Sequence, residues 1–239
     1  MFYYKVDKGV VRENNEDKVS IFENGEDLFL VVLDGMGGHN KGDLASSIAL
    51  KTFRENIEKK QKFYFDYSFK KHVLKAIKKA NKEVNKKGIS SLDYNDMGTT
   101  MIIAVIHNCK VYVFNIGDSR CYIQTDNILN QVSVVQTYVE FLYKTGKITY
   151  EEKFTHPKRH ILMNALGTYP TISVVTKVYK KPFEKILLCS DGLYNMVQLD
   201  QIKEILDRNI STEDKVNLLI NKANENGGKD NIAIALWEE

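Results

Sequence analysis

Two continuous apolar runs in this chain each end directly at an Asp-Gly pair: Leu30-Val31-Val32-Leu33 precedes Asp34-Gly35, and Leu187-Leu188-Cys189-Ser190 precedes Asp191-Gly192. A short apolar run bounded by turn residues reads as a buried strand. Each run therefore delivers a carboxylate to a glycine turn at a strand edge, where chemistry can sit. Taken alone, an Asp-Gly pair is an ordinary turn, because glycine supplies positive φ and aspartate caps the next element. The repetition is what makes these two informative.

The rest of the pattern mixes helices and strands. Asp43 to Lys60 places apolar residues mostly three or four apart, at Leu44, Ala45, Ile48, Leu50 and Phe53, which predicts an amphipathic helix. Phe69, Val73, Leu74, Ile77, Ala80 and Val84 predict a second, ending near Gly88, with its lysines on a solvated outer face. Met101 to Ile106 and Val111 to Ile116 flank the polar break His107-Asn108-Cys109-Lys110 and predict a β-hairpin. Gly117-Asp118-Ser119-Arg120 and a further strand follow. Strands are also expected at Ile172 to Tyr179, Glu184 to Cys189 and Ile232 to Leu236, and helices over 198–207 and 211–225. Strands in runs with helices in pairs make an α+β pattern. Residues 134–168 lose strand periodicity and are expected to form short helices in a flap.

With 239 residues, 43% of them hydrophobic, the chain can bury a core without disulfides. No internal repeat or low-complexity linker divides it, so residues 1–239 are expected to form one domain. Lys and Arg total 34 against 31 Asp and Glu, and a balance of +3 argues for neither a nucleic-acid nor a membrane partner. The three cysteines, Cys109, Cys121 and Cys189, read as reduced thiols in the core. Met1 to Gly9 alternates aromatic and charged residues without a signal-peptide core, and no stretch approaches the roughly 20 apolar residues of a membrane helix. A cytoplasmic monomer is expected.

Four acidic turns adjoin strands: Asn15-Glu16-Asp17, Asp34-Gly35, Asp191-Gly192 and Asp230-Asn231. Clustered carboxylates need a cation in order to coexist as anions. Oxygen-only donors select hard ions, and no Cys/His spacing of the zinc type is present, so Mg²⁺ or Mn²⁺ is expected. Two such ions roughly 3.5–4 Å apart lower the pKa of a water between them enough for phosphoryl attack near neutral pH.

In order along the chain stand Arg12-Glu13-Asn14-Asn15-Glu16-Asp17, Asp34-Gly35-Met36-Gly37-Gly38-His39, Met97-Gly98-Thr99-Thr100, Gly117-Asp118-Ser119-Arg120, Ser190-Asp191-Gly192-Leu193 and Gly227-Gly228-Lys229-Asp230-Asn231. Each is weak alone; the ordered set resembles the bacterial branch of the type 2C metal-dependent serine/threonine protein phosphatases. The resemblance implies a four-layer αββα sandwich, two antiparallel sheets flanked by helix pairs with the metals at one end. It implies that Asp34 bridges both metals, that Gly35 offers its carbonyl, and that Asp191 and Asp230 complete one metal's shell, with Glu16 and Asp17 acting through bound waters. Asp118 matches a position that, in bacterial members, helps Asp191 hold a third, weaker ion. Arg12 would grip the substrate phosphate with its planar fork of donors, and His39 would contact substrate. Thr99, Thr100 and Ser119 would serve packing and turn bonding. Phosphorylated proteins made by a serine/threonine kinase would be the substrates.

Three positions depart from the family pattern. Met36 stands where eukaryotic relatives commonly have a histidine acid. Val135-Gln136-Thr137 replaces an Asp-His-Ser sequence at the entry to the flap. Asn195 replaces an acidic residue, keeping a hydrogen-bonding amide without the charge. The first two also motivate an alternative, a phosphoprotein-binding pseudophosphatase with little or no turnover. A nucleotide site built on Gly35, Gly37 and Gly38 is disfavoured, because Lys41 is followed by Gly42 and not by Ser or Thr.

Overall fold

The continuous run of β3 is explained by what lies on its two sides. In this computed structural model, which describes residues 1–37, 41–63 and 65–239, side chains alternate along the strand. Phe29, Val31 and Leu33 face a helical layer, whereas Leu30 and Val32 face a second sheet, and all five are fully buried. A strand apolar on both faces belongs inside a stack of layers.

The chain begins with strands β1 (Phe2–Asp7), β2 (Lys18–Asn24), β3 (Asp27–Leu33) and β4 (Gly35–Met36), then helices α1 (Lys41–Ile57) and α2 (Asp66–Gly88). Strands β5 (Gly98–Thr99), β6 (Met101–His107), β7 (Lys110–Ile116), β8 (Arg120–Thr125) and β9 (Ile128–Gln131) follow. Short helices α3 (Tyr138–Lys144) and α4 (Glu152–Thr155) lead to β10 (Val175–Lys180) and β11 (Lys185–Cys189). Helices α5 (Asp191–Tyr194), α6 (Leu199–Leu206) and α7 (Thr212–Glu225) precede β12 (Ile232–Glu238).

One antiparallel sheet has the order β10-β7-β6-β3-β2 and the other β1-β12-β11-β8-β9; β4 and β5 form a small third ladder. Three apolar layers hold the stack together. α1 and α2 cover the first sheet through Phe53, Phe69 and Ile77 against Phe29 and Phe114. The two sheets meet through Leu30, Val32 and Ile102 on one side and Cys121, Leu188 and Ala235 on the other. α5, α6 and α7 cover the second sheet through Leu193, Leu206 and Leu219. This is the expected αββα sandwich.

Several local expectations are refined. β1 alternates half-buried and exposed residues at a sheet edge, which the N-terminal alternation of aromatic and charged residues reflects. The hairpin break is two residues, not four: Asn108 and Cys109 both have positive φ, 48° and 56°, the geometry that suits the twist of a two-residue hairpin. Cys109 is therefore exposed on a turn and is not a core thiol, whereas Cys121 and Cys189 are buried. Its neighbour His107 is buried, stacked on Phe69 with ring centroids 3.9 Å apart, and its Nδ1 lies 2.6 Å from Asp27 Oδ1. Asp191-Gly192 opens helix α5 and is not a free turn.

Candidate metal centre

Every acidic motif lies at the same end of the sandwich because the strands beside it are antiparallel neighbours. Leu33, the last residue of β3, pairs with Lys18, the first of β2, so Asp34 and Asp17 follow and precede paired residues. Ile116 at the end of β7 pairs with Met101 at the start of β6, which puts Asp118 at this end too. Cys189 at the end of β11 pairs with Ile234 near the start of β12, bringing Asp191 towards Asp230.

Close backbone approach joins these edges. A Cβ on Gly35 would sit 2.3 Å from the Gly42 carbonyl oxygen and 2.6 Å from that of Glu16, and a Cβ on Gly192 would sit 2.0 Å from the Asn231 carbonyl oxygen. Only glycine fits at either place. The first contact brings the Asp34 loop against the start of α1, where Glu16 Oε2 lies so close to Gly42 that a Cβ there would sit 2.4 Å from it, a favourable place for an anion. The second packs α5 against the Asp230 turn.

The carboxyl groups face one another. Burial and repulsion from Asp17, Asp191, Asp118 and Asp230 hold the Asp34 carboxyl well above the ordinary carboxylate range. Asp191 is raised in the same way by burial and by Asp118, Asp230 and Asp17. Burial pushes Asp17 up to about 7 against the hydrogen bond it accepts from Ser190 Oγ at 2.6 Å. Burial also raises Asp118, although Tyr194 Oη lies 3.3 Å from its Oδ2.

Oxygen donors that repel one another in a buried site are matched to a hard divalent cation, which would remove the cost of holding them ionised together. The residues present thus fit such ions in chemistry. Among the described residues no three acidic, histidine or cysteine side chains already converge on one point as ligands. Asp230 is turned to Arg12, with Nη2 2.7 Å from Oδ2, and Asp17 to Ser190.

Of the expected site residues, the structure gathers Arg12, Glu16, Asp17, Asp34, Gly35, Asp118, Asp191 and Asp230 at this end. His39 and Gly38 lie outside the described residues. A cleft of about 770 Å³ separates Asp118, Asp191 and Asp230 from residues 134–168, with Lys229, Arg159 and His160 in its lining.

Polar residues within and beside the same motifs position the acids. Thr100 Oγ1 accepts the Asp34 N–H at 3.0 Å and lies 2.7 Å from Ser119 Oγ, while Thr99 Oγ1 donates to the Asp34 carbonyl at 3.0 Å. Asn231 accepts the Glu16 N–H at 2.9 Å and donates to the carbonyls of Lys8 and Asn14, both at 2.8 Å. Asn195 Nδ2 donates to Asp191 Oδ2 at 3.1 Å, the bond expected of its amide. Tyr194, three residues beyond Asp191 on the same helix, is held by the Arg120 guanidinium 3.5 Å above its ring; that spacing is the signal that finds it.

Comparison with known proteins decides the family. The protein phosphatase 2C profile matches residues 10–226. The chain belongs to the protein phosphatase 2C family. It is a serine/threonine protein phosphatase, and the binding-only alternative gives way to that assignment. It is 36% identical over 239 residues to the serine/threonine phosphatase stp of Listeria monocytogenes serotype 4b (strain F2365), covering 98% of this chain and 94% of that one. Among solved structures it resembles the serine/threonine phosphatase Stp1 from Staphylococcus aureus, with a TM-score of 0.93 and 31% identity over 100% of this chain and 94% of that chain. It also resembles the catalytic domain of the phosphatase PstP in complex with 2 manganese ions, with a TM-score of 0.84 and 27% identity over 99% of this chain and 96% of that chain.

Proposed function

We propose that this phosphatase removes phosphate from phosphoserine and phosphothreonine in proteins at the end of the sandwich where Asp34 and Asp191 meet, using Mg²⁺ or Mn²⁺. The observation that carries the reading is the gathering of Asp34, Asp191, Asp118 and Asp230 at one end of the paired strands, with the Asp34 and Asp191 carboxyls driven above the ordinary carboxylate range by burial and by their acidic neighbours. Asp34 and the Gly35 carbonyl would hold the ions, with Asp191 and Asp230 as further ligands. Glu16 and Asp17 would act through water, and Asp118 with Asp191 would offer a third, weaker place. Bound there, the ions supply the charge that makes water a nucleophile near neutral pH and offsets charge on the phosphoryl group.

The chain's own contribution is position. Thr99, Thr100 and Ser119 fix the backbone of Asp34, and Asn231 fixes the segment that carries Arg12 and Glu16. Arg12 is about half exposed beside the cleft, where its fork of donors suits two oxygens of a phosphate. The cations Lys229 and Arg159 in the cleft lining favour an anionic group entering it. Such substrates are the products of serine/threonine kinases, the enzymes that esterify these hydroxyls with phosphate.

Titration calorimetry with Mn²⁺ tests the ligand assignments. Wild-type protein binds two ions tightly and Asp34→Asn loses both; a variant that keeps both sites removes Asp34 from its bridging role.

A further inference from the structure

The whole-chain charge of +3 hides a segregation that the layers make visible. Residues 41–88, which form the α1–α2 layer, carry 14 Lys and Arg against 5 Asp and Glu, whereas the chain has 34 against 31. That layer is +9 and the remainder is −6.

On α2 the charge is ordered. Phe69, Val73, Ile77, Ala80 and Val84 pack inward against the sheet. With about 100° between successive residues, the opposite pole of the helix is the row that runs from Tyr67 through Lys71, Lys75, Lys78, Lys82 and Lys86 to Ile89. Every member of the row is exposed. At 1.5 Å per residue it is about 33 Å long. Both ends are apolar: Tyr67 is 77% and Ile89 75% exposed, and Phe65 at 74% and Leu92 at 86% extend the two ends.

The ordinary reading of a lysine row is a solvated face, and α1 shows how this protein builds one. There Lys51 and Arg54 pair with Glu55 and Glu58, each four residues on. α2 is built differently: among the described residues none of its five row lysines has an acidic partner within salt-bridge distance, although Asp66 of the same helix is paired with Lys110. Like charges four residues apart destabilise a helix. The row keeps a repulsion that a few glutamates would remove, and that an anionic partner would remove as well.

The chemistry of the row selects among anionic partners. Its basic residues are all lysines, point charges suited to a diffuse anionic surface and lacking the fork of arginine that reads individual phosphates. Nucleic acid has no use for four exposed apolar side chains at the ends of the row, whereas an interfacial helix places such side chains among lipid headgroups and acyl chains. We propose that the outer pole of α2 is a docking surface for an anionic lipid bilayer, with the lysines against the headgroups and Phe65, Tyr67, Ile89 and Leu92 entering the interface. Among the described residues no helix is long and apolar enough to cross a membrane; lying on one makes no such demand.

Each lysine at an anionic membrane surface raises affinity about fivefold, and salt weakens the attraction. The test is flotation of the full chain with vesicles of phosphatidylcholine alone and of phosphatidylcholine with phosphatidylglycerol. Wild-type protein floats with the anionic vesicles and not with the neutral ones, and rising salt releases it. The combined variant Lys71→Glu, Lys75→Glu, Lys78→Glu, Lys82→Glu stays in solution while hydrolysing a soluble phosphopeptide at the wild-type rate, which shows that it is folded. Lys177→Glu, on β10, floats as wild type. Tyr67→Ser with Ile89→Ser weakens flotation with the anionic vesicles. The proposal is overturned if wild-type protein ignores anionic vesicles, if the lysine variant still floats, or if the apolar variant floats as well as wild type.

Discussion

Arg12 Nη2 stands 2.7 Å from Asp230 Oδ2, so the side chain suited to gripping phosphate is paired with a carboxylate suited to holding a cation. The partners come from opposite ends of the chain, 218 residues apart. A cation at Asp230 and the Arg12 guanidinium compete for the same oxygen. Arg12→Ala is expected to raise KM about tenfold or more, because a charge-assisted pair to phosphate is lost, and to tighten apparent Mn²⁺ affinity by a few fold. Phosphopeptide kinetics across a Mn²⁺ series measure both. Weaker metal binding in the variant contradicts the competition.

Gln136 ties the 134–168 excursion to the turn that carries Asp118. Its Oε1 accepts from the Gly117 N–H at 2.7 Å and from Asn164 Nδ2 at 2.8 Å, and its own N–H donates to the Gly117 carbonyl at 3.1 Å. Gln136→Ala orphans a backbone donor at a cost of about 1–3 kcal/mol. Because that donor immediately precedes Asp118 in the cleft lining, the expected signature is a several-fold rise in KM with a smaller change in kcat. Equal kinetics in the two proteins dismiss the tether.

Asn231 spends its amide on three backbone groups, those of Lys8, Asn14 and Glu16. At about 1 kcal/mol for each bond, Asn231→Ala is expected to lower stability by about 2–3 kcal/mol and to loosen residues 8–16 ahead of the rest. Hydrogen exchange resolves the order of opening. Loosening spread evenly over the whole chain argues against a local staple.

Asp207 provides a pH test away from the metal centre. Burial raises its pKa, but hydrogen bonds from Lys203 at 2.5 Å, Gln124 at 2.8 Å and Lys185 at 2.9 Å outweigh that and hold it well below the ordinary carboxylate range. A depressed folded-state pKa contributes stability that is fully present above the unfolded value of about 3.9 and is lost as pH falls through the folded one. Asp207→Asn is therefore expected to cost about 1 kcal/mol near neutrality, with the difference shrinking below about pH 4. Thermal unfolding against pH reads it, and a difference that grows on acidification contradicts the sign.

The acids were legible in the sequence because each sits in a short motif beside an apolar run, and the layers were legible because the runs keep the periods of strand and helix. The turn bonding of Thr99, Thr100 and Ser119 was legible too, but the bonds that join distant segments were not. Asn231 reaches Lys8 and Ser190 reaches Asp17 through single hydrogen bonds between distant segments, which leave no periodic trace. Cys109 was misread for a related reason: its apolar neighbours belong to the strands, while its positive φ puts it on the turn between them. Charge was misleading as a total, since +3 is the residue of a strongly basic layer set against an acidic remainder.

The central claim is that the carboxylates around Asp34 and Asp191 form the metal centre of a protein phosphatase. Release of phosphate from a phosphothreonine peptide, with Mn²⁺ and with chelator, tests it most directly when wild-type protein is compared with Asp191→Ala. Turnover that needs Mn²⁺, stops with chelator and falls by on the order of a hundredfold or more in the variant is the expected result. Equal turnover by the two proteins, or turnover that survives the chelator, contradicts the account.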